Sequence, residues 1–556
     1  MNTGTVALQI LQELRAFGVD RVFGIPGGAV GGLYAALDHT PDIAVVHAKH
    51  ETGAAFMALG YALATGRPGV VFTTAGPGIT NAITGIMSAY YEGVPVIHIA
   101  GEVSRAAFGR GALQESSASA WDAVAIASRF TKFSAQISRS ASAVALVRKA
   151  LSMAYSGRKG PAFLSLPMDV ANEPARHQPL AGNTGSSFDI DVAACHAAME
   201  CLERSRRPLI LAGAGTRDFT SRRALRRLAE HLGAPVAVTT KGKSVFPEDH
   251  PLYLGLFGFG GHDSVTEYLA SGVDALMVIG SGLNDFSTNA WSPLLAAPRA
   301  FIQVDIDPVQ LGKNYPLTHG LLGPIDAVLS RMLEHRTGEQ PKLQYKVKPQ
   351  YQAVQASAQG ALTTAQVVQA INELTPSNSL YTADMGEHLA VVLHHLRVRD
   401  DGDFITCLGF GAMGSSIGTA IGYLLGAPQR TGYAICGDGC FLMQGTELAT
   451  AVQHRVPLTF VVINDSRLNM VHHGQAAIYN SKMDFSTQEV DFAAWAKSMG
   501  AQGSVIRTEA DLRHALAQPV AEPTVLDVRV DPDVRLAGSQ RLAALKQFQS
   551  SPANDR

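Results

Sequence analysis

Short apolar segments alternate with helical stretches along most of this 556-residue chain. Typical apolar segments are residues 208–212, 275–279 and 458–463, each flanked by a helical pattern. Apolar runs of this length between helical patterns are typical of parallel strands joined by crossover helices. Because a chain this long rarely forms a single core, the alternation predicts roughly two to four α/β domains with parallel sheets.

Two polar stretches divide the alternating pattern. Residues 172–189 are rich in Pro, Gly, Ser and Asn, and residues 337–355 are rich in Lys and Gln, so we interpret both as linkers. The predicted units are an N-terminal domain (1–172), a central domain (190–335), a C-terminal domain (362–535) and a tail (536–556). The tail is expected to begin as a helix and to end in a frayed polar stretch.

The overall composition indicates a globular protein with small-molecule chemistry. Hydrophobic residues make up 46% of the chain and charged residues 17%, and the formal net charge of −2 favours neither nucleic acid nor an anionic membrane as partner. The five cysteines follow neither a metal-binding nor a disulfide spacing. The N-terminus lacks the pattern of a signal peptide, so we expect a cytoplasmic protein without a membrane partner.

A glycine-rich turn and a later acidic residue form the first candidate site. Gly437-Asp438-Gly439 opens a segment that ends at Asn464-Asp465, and the two aspartates are 27 residues apart. A turn, a helix and a strand between them could bring both side chains to one sheet edge. Mg²⁺ prefers such oxygen ligands and often binds a phosphate group at the same time. The glycines would let the backbone approach that phosphate, and a helix N-terminus would stabilise its negative charge. Gly-Asp-Gly alone, however, is more simply interpreted as a tight turn.

The N-terminal third contains three further segments with strands, glycine turns and helices. They are residues 22–37, 45–66 and 70–101. Glu51 lies near the predicted start of a helix, where a carboxylate is also common for a simpler reason: its negative charge interacts favourably with the helix dipole. Taken together, the segments make nearly the whole chain resemble the acetolactate synthase-like branch of the thiamine-diphosphate enzymes. Other matching pieces are Gly76-Pro77-Gly78, Gln114-Glu115, Leu166-Pro167, residues 304–308, Gly386-Glu387-His388 and Ala412-Met413-Gly414.

The resemblance implies an α/β fold of three doubly wound parallel-sheet domains: a pyrimidine-binding, a central and a diphosphate-binding domain. It implies thiamine diphosphate and Mg²⁺ as cofactors. It also implies that Glu51 hydrogen-bonds the aminopyrimidine ring of the cofactor and so favours the imino tautomer, which removes the thiazolium proton. Burial would raise the pKa of such a carboxylate and suit it to proton sharing. In this family the glutamate and the diphosphate site come from different subunits, which implies a homodimer or a homotetramer.

The other cofactor-binding positions are carried over residue by residue from the resemblance. They are Pro26, Gly386, Glu387, His388, Gly411, Met413, Gly437, Gly439, Cys440, Met470 and Val471. The implied metal ligands are Asp438 and Asp465, although relatives usually carry Asn at the second position. Asn464, or the main-chain carbonyl of Arg467, is an open alternative to Asp465.

The resemblance also implies a set of substrate-binding residues. Gln114 and the backbone of Gly28 join Glu51 as catalytic candidates, because an amide or an N–H group can hold a carbonyl oxygen or a developing oxyanion. The substrate pocket is expected to contain Gly28, Ala29, Leu113, Gln114, Phe286, His473 and Gly474. His472 and His473 are candidates for proton transfer near neutral pH, or are exposed loop residues.

Three positions depart from the acetolactate synthases. The alignment places Phe286 in a stretch where relatives carry Arg, Gly474 where they carry Trp, and Met168 where they carry Lys. The family arginine pairs with the carboxylate of the second keto acid, so its loss implies that the acceptor is not pyruvate or binds differently. The glycine turn at Gly213 leaves FAD as an alternative cofactor of the central domain, which the chemistry does not require.

The sequence therefore predicts an enzyme that uses thiamine diphosphate and Mg²⁺ to decarboxylate a 2-keto acid, such as pyruvate. The acyl fragment would then be joined to a second carbonyl compound. A simple decarboxylase that releases an aldehyde, and a catalytically silent regulatory relative, are the alternatives. The presence of Glu51, Met413 and Asp438 argues against the silent relative.

Overall fold

The computed structural model describes residues 4–175, 188–296, 298–335, 348–399 and 401–538. Within them, three six-stranded sheets with parallel strand pairs confirm the predicted α/β fold of three parallel-sheet domains. No helix in these ranges is both long and apolar enough to cross a bilayer. Much of both predicted linkers, and the tail from residue 539 onward, lie outside the described residues.

The first sheet has the strand order β2-β1-β3-β4-β6-β5. Its strands are β1 (Arg21–Gly24), β2 (Ala44–His47), β3 (Gly69–Thr73), β4 (Val96–Glu102), β5 (Phe133–Gln136) and β6 (Ala162–Pro167). Its helices are α1 (Val6–Ala16), α2 (Gly31–Leu37), α3 (Glu51–Thr65), α4 (Pro77–Glu92), α5 (Ala123–Ala127), α6 (Ala143–Tyr155) and α7 (Met168–Asn172).

The central sheet has the order β12-β11-β10-β7-β8-β9, which is the strand order of the dinucleotide-binding fold. Its strands are β7 (Pro208–Ala212), β8 (Val236–Thr239), β9 (Tyr253–Phe257), β10 (Ala275–Ile279), β11 (Ala300–Asp305) and β12 (His319–Leu322). Its helices are α8 (Val192–Glu203), α9 (Phe219–Leu232), α10 (Asp263–Ala270), α11 (Asp285–Thr288) and α12 (Ile325–Glu334).

The third sheet has the order β14-β13-β15-β16-β18-β17. Its strands are β13 (Leu380–Ala383), β14 (Asp403–Ile405), β15 (Gly432–Gly437), β16 (Leu458–Asn464), β17 (Gln502–Ile506) and β18 (Thr524–Arg529). Its helices are α13 (Thr364–Leu374), α14 (Glu387–His395), α15 (Ser415–Gly426), α16 (Asp438–Gln444), α17 (Leu448–Gln453), α18 (Asn469–Tyr479), α19 (Phe492–Ser498) and α20 (Glu509–Leu516).

The first and third sheets have one topology. With strands numbered within each domain, both orders read 2-1-3-4-6-5. The shared order extends the similarity that the sequence alternation indicates. In parallel sheets of this kind, ligands bind beyond the carboxyl ends of the strands, so each of the two domains offers one such edge.

Helices α3 and α15 pack the first domain directly against the third. The contact is close because glycines lie at it: a Cβ on Gly60 would stand 2.0 Å from the Thr419 carbonyl oxygen, and one on Gly422 1.9 Å from that of Met57. Helix α3 is buried over residues 51–62, as expected for a helix that is apolar on all sides. The start of α3, which carries Glu51, is therefore held in a fixed place.

Candidate active site

Asp438 and Asp465 follow the carboxyl ends of two neighbouring strands. Strand β15 ends at Gly437 and pairs in parallel with β16, with Gly437 opposite Ile463. Asp438 is the first residue of α16, and burial raises its pKa. Burial and the negative charge of Asp438 raise the pKa of Asp465 to about 7. The two carboxylates therefore lie close together at one edge of the third sheet, as the 27-residue spacing predicts.

Asn464, the alternative to Asp465, is engaged inside the protein. Its amide donates to Asp527 Oδ1 at 2.8 Å and to the Val490 carbonyl at 3.2 Å, and its oxygen accepts from Ser466 Oγ at 3.2 Å. These bonds use the side chain to tie β16 to its neighbours. Asp465 is engaged as well, since its Oδ1 accepts from the Arg467 N–H at 3.2 Å and its Oδ2 from Asn469 Nδ2 at 2.8 Å, so Asp465 as the metal ligand stays a prediction. The Arg467 carbonyl stays an alternative, while the guanidinium of Arg467 binds Asn469 and the Pro532 carbonyl at 2.8 and 2.7 Å.

The carboxylate pair suits a metal ion that is shared with a ligand. Among the described residues, no three or more His, Cys, Asp and Glu side chains cluster as a complete metal site. Mg²⁺ commonly takes one or two carboxylates and completes its octahedral shell with water and phosphate oxygens. The donor set therefore fits Mg²⁺ bound together with a diphosphate, and Mg²⁺ at this place stays a prediction.

Glycines and a buried histidine line the space beside the carboxylate pair. Gly386 precedes α14, and the ring of His388 lies against it and against Gly437, where an added Cβ would stand 3.4 Å from the ring. Burial lowers the pKa of His388 to about 4, so its imidazole is neutral at pH 7. Its buried Nε2 has no hydrogen-bond partner among the described residues. An unpartnered polar atom beside bare glycines fits the binding of a polar cofactor group.

Met413 and Cys440 both adjoin Gly439 of the Gly437-Asp438-Gly439 motif. A Cβ on Gly439 would stand 3.2 Å from the terminal methyl of Met413, and Gly411 has a left-handed φ of +75°. The Cys440 thiol donates to the Met385 carbonyl at 3.4 Å, and burial raises its pKa well above the usual value. These features argue against Cys440 as a nucleophile, and its place in the cofactor site stays a prediction.

Asp384 orders the Met413 loop and was missed by the sequence analysis. It is buried and accepts hydrogen bonds from Ser415 Oγ at 3.0 Å, from Ser416 N at 2.8 Å and from Ser416 Oγ at 2.6 Å. These bonds hold the start of α15, directly after the methionine. Because the partners are more than thirty residues away, no local pattern indicates this role.

Glu51 lies at the carboxyl edge of the first sheet. It is the first residue of α3, as predicted, and its side chain is buried in the protein at 8% exposure. Asn81 Nδ2, from α4, donates to Glu51 Oε2 at 3.0 Å. The buried Tyr34 hydroxyl has no hydrogen-bond partner among the described residues, and burial together with the charge of Glu51 raises its pKa. Neither Asn81 nor Tyr34 was singled out by the sequence analysis.

Gln114 packs on the loop that leads to Asn81. Its backbone has a positive φ of 65°, and Thr74 Oγ1 donates to its side-chain oxygen at 3.4 Å. A Cβ on Gly76 would contact Gln114 at 3.1 Å, while one on Gly78 would stand 3.5 Å from Glu51 Oε1. The structure thus brings Gln114 beside Gly76 and Glu51 beside Gly78, within one glycine turn.

Gly28 and its neighbours complete this edge. Pro26 and Gly28 are exposed, and a Cβ on Gly28 would meet no atom within 4 Å. Ala29 packs against Gly101, whose Cβ would lie 2.3 Å from the Ala29 carbonyl. Leu113 projects into solvent at 88% exposure. Space for a ligand therefore exists above Gly28.

Residues of the central and third domains that were predicted for the substrate pocket or for cofactor binding line one cleft of about 760 Å³. Phe286, Glu387, Met470, His473 and Gly474 contribute to it. Val471, on the same helix, is 46% exposed and does not line this cleft. The cleft is open at Gly474, because an added Cβ there would meet no atom within 4 Å.

The cleft also contains a cation that the sequence analysis missed. Arg535 lines it, beside Glu387 and His473. Burial lowers the pKa of His473, and the positive charge of Arg535 lowers it further, so this imidazole is neutral near pH 7. Arg535 lies in a stretch without a recognisable motif, and only the folded chain puts it in the cleft.

Within one chain, the Glu51 edge and the Asp438 edge belong to different sheets. Glu447 accepts hydrogen bonds from the backbone N–H groups of Lys49 and His50 at 3.0 and 2.9 Å, just before Glu51. Asp438 begins α16 and Glu447 follows its end, so the start of α3 is tied to the turn that follows this helix.

The Gly213 turn of the central domain is explained by packing alone. A Cβ on Gly213 would lie 2.4 Å from the Gly280 carbonyl oxygen, and one on Gly215 2.8 Å from Gly280 Cα. The close approach of the two backbones therefore accounts for glycine at both positions, and a bound nucleotide is not needed to explain them. The residues present do not specify FAD, and FAD stays an alternative.

The buried carboxylate pair predicts that the stability of the metal-free protein depends on pH. A raised Asp465 pKa means that the folded, metal-free protein binds a proton more tightly than the unfolded chain, so stability falls as pH rises from about 4 to about 7. We expect Asp465→Asn to remove part of this loss. Its thermal midpoint in excess chelator should exceed that of the parent by more at pH 7.5 than at pH 5. An equal change at both pH values would contradict a strained charge pair.

Comparisons with known proteins match all three domains of the chain. Models of the thiamine pyrophosphate enzymes match as N-terminal TPP binding domain over residues 4–125, central domain over 195–332 and C-terminal TPP binding domain over 384–528. The acetolactate synthase large subunit of Parasynechococcus marenigrum strain WH8102 is 32% identical over 549 residues, covering 94% of this chain and 87% of that protein.

Two further relatives agree with these matches. The acetolactate synthase isozyme 2 large subunit of Escherichia coli K12 is 29% identical over 534 residues, covering 94% of this chain and 95% of that protein. An X-ray structure described as a thiamin diphosphate-dependent enzyme from Mycobacterium smegmatis superposes with a TM-score of 0.83 at 25% identity, covering 95% of this chain and 100% of that chain.

Proposed function

This chain belongs to the thiamine pyrophosphate enzymes, and we propose that it decarboxylates a 2-keto acid, such as pyruvate, and joins the acyl fragment to a second carbonyl compound. As an acetolactate synthase-like member of the family, it is a thiamine-diphosphate-dependent enzyme of the carboligase type. The names of its relatives support pyruvate as donor. With pyruvate in both roles, two pyruvate anions and one proton give one acetolactate anion and one CO₂, so no oxidant is needed.

One observation carries the proposal: the two sheets of identical topology present complementary chemistry at their carboxyl edges. The third sheet offers two carboxylates, bare glycines and an unpartnered imidazole nitrogen, which suit a metal-bound diphosphate. The first offers a buried carboxylate held by an amide. When bound, the cofactor supplies the nucleophilic carbon and keeps the electron pair that remains after CO₂ leaves.

The residues then have distinct tasks. Glu51, held by Asn81, exchanges a proton with the aminopyrimidine ring, and the Gln114 amide orients a substrate carbonyl or carboxylate. The backbone at Gly28 would hold a developing oxyanion. Met413, which lies against Gly439, would support the bound cofactor. Asp438 and Asp465 hold Mg²⁺, whose charge offsets that of the diphosphate.

The proposal includes a homodimer or homotetramer in which a second copy completes each site. The isolated chain exposes large apolar side chains beside the proposed cofactor residues. They are Leu113 at 88%, Met443 at 57%, Leu442 at 46%, Val471 at 46% and Phe410 at 38% exposure. Apolar side chains gathered around a functional motif mark a surface that another protein surface covers.

Mixing two inactive variants tests the shared site. If Glu51 of one chain serves Asp438 of its partner, a heterodimer of Glu51→Gln and Asp438→Ala has one intact site. Random reassociation of equal amounts should therefore restore about a quarter of wild-type activity. Each variant mixed with itself is the control. No recovery, despite heterodimers visible by native mass spectrometry, would place both residues of a site in the same chain.

The function itself is tested by supplying the protein with thiamine diphosphate, Mg²⁺ and a panel of 2-keto acids. CO₂ release together with a coupled product in the mass spectrum supports carboligation. CO₂ with free aldehyde alone would favour the simple decarboxylase, and absence of CO₂ with every keto acid would favour the silent relative.

A further inference from the structure

The segment after the last strand, residues 531–538, is pinned along one side of the cleft that Phe286 and Gly474 line. At its beginning, Arg467 Nη2 donates to the Pro532 carbonyl and to Asp533 Oδ1, both at 2.7 Å. Asn469 Nδ2 donates to the same carbonyl at 2.7 Å and to Asp465 Oδ2 at 2.8 Å. The segment is therefore anchored directly to the proposed metal-binding loop.

The far end of the segment is held from the other side. Gln352 Nε2 donates to the Ala537 carbonyl at 3.0 Å, and the Ala537 N–H donates to Gln352 Oε1 at 3.1 Å. The Gln352 side-chain amide thus makes two hydrogen bonds with the backbone of Ala537, and together they hold this end of the segment in place. Arg535 lies between the two anchors, so its backbone is held on both sides although its side chain is exposed.

Arg535 is the one Lys or Arg among the described residues that line the cleft. Within the described part of the chain, its guanidinium has neither a hydrogen bond nor a salt bridge. Its charge nevertheless acts on both neighbouring groups in the cleft, the carboxyl of Glu387 and the imidazole of His473. A guanidinium without a partner, on a fixed backbone, is available to an anionic ligand.

The acidic residues of the cleft do not neutralise Arg535. Asp533 pairs with Arg467 at 2.7 Å. Burial raises the pKa of Glu387, and the positive charge of Arg535 acts against that rise, but the Arg535–Glu387 pair does not close into a salt bridge. Asp263 is the first residue of α10, where the helix N-terminus stabilises it. The cleft thus keeps one cation free to meet a carboxylate.

We propose that Arg535 binds the carboxylate of the acceptor, so that the acceptor is an anionic 2-keto acid and not a neutral carbonyl compound. The planar guanidinium fork matches a carboxylate with two parallel hydrogen bonds. Phe286 lines the same cleft without a charge, so the charge comes from the segment after β18 and not from the central domain. This inference rests on the carboligation proposed above.

A competition between matched acceptors tests the proposal. Pyruvate serves as donor and as anionic acceptor, and 2,3-butanedione, in which a methyl ketone replaces the carboxylate, serves as neutral acceptor. We expect Arg535→Gln in the full holoenzyme to shift the ratio of the two adducts towards the neutral one by about ten- to a hundredfold. Arg535→Lys should shift it less. Arg507→Gln removes an exposed charge elsewhere in the third domain and should leave the ratio unchanged.

The outcomes separate the two proposals. An unchanged ratio in Arg535→Gln, or an equal loss of both adducts, would overturn the role of Arg535. A wild-type enzyme that releases CO₂ but forms only the neutral adduct would overturn it as well. If no CO₂ is released, the proposed function fails, and calorimetry with oxamate, an unreactive analogue of pyruvate, decides the binding role. There, Arg535→Gln should bind about tenfold or more weakly than the parent, and equal affinities would contradict the assignment.

Discussion

Glu51→Gln should leave the fold and cofactor binding intact and slow turnover by at least about 10²-fold, the lower range of general acid–base effects. Glutamine keeps the shape of the side chain and its contact with Asn81, but it cannot exchange a proton with an aminopyrimidine ring. Steady-state CO₂ release from pyruvate gives the rate, and calorimetric titration with thiamine diphosphate confirms loading.

The chain provides a matched control for this substitution. Glu509 is also the first residue of a helix, α20, but it is exposed, and it follows β17, the outer strand of the third sheet, two strands away from β16. If the only role of Glu51 were a favourable interaction with its helix dipole, Glu51→Gln and Glu509→Gln would behave alike, with small changes in stability and full activity. Near wild-type turnover of Glu51→Gln would therefore remove this residue from the mechanism.

Asp438→Ala should abolish Mg²⁺-dependent binding of thiamine diphosphate. The substitution removes one of two charged oxygen ligands and leaves the diphosphate facing a site with too little positive charge. Asp438→Asn keeps an oxygen at the same place and should weaken binding by less. Both are measured by calorimetric titration of the cofactor with and without Mg²⁺.

The metal dependence of that titration is the decisive part. Asp326→Ala, in the first turn of α12 in the central domain, is the control for loss of a helix-start aspartate. If Asp438→Ala binds the cofactor with undiminished affinity and still responds to Mg²⁺, then Gly437-Asp438-Gly439 is a tight turn and no more.

The strands whose bounds the sequence analysis gives were predicted to within one residue. Residues 208–212 and 275–279 are strands in the structure as predicted, and the expected strand 458–463 extends by one residue to Asn464. Short apolar runs are strong local signals because parallel strands are buried on both faces. The domain boundaries and the site residues stay predictions, and the tail helix falls outside the described residues from 539 onward.

The sequence alone determined the alternation of strands and helices, the glycine turns at strand ends, and therefore which segments meet at a sheet edge. These depend on local periodicity and on backbone freedom, which neighbouring residues decide. Only the tertiary structure shows that the Asn464 side chain is engaged inside the protein, because its partners lie 26 and 63 residues away. The same holds for Asn81 and Arg535: each is an ordinary polar residue until contacts across the fold hold it beside a buried carboxylate or in a cleft.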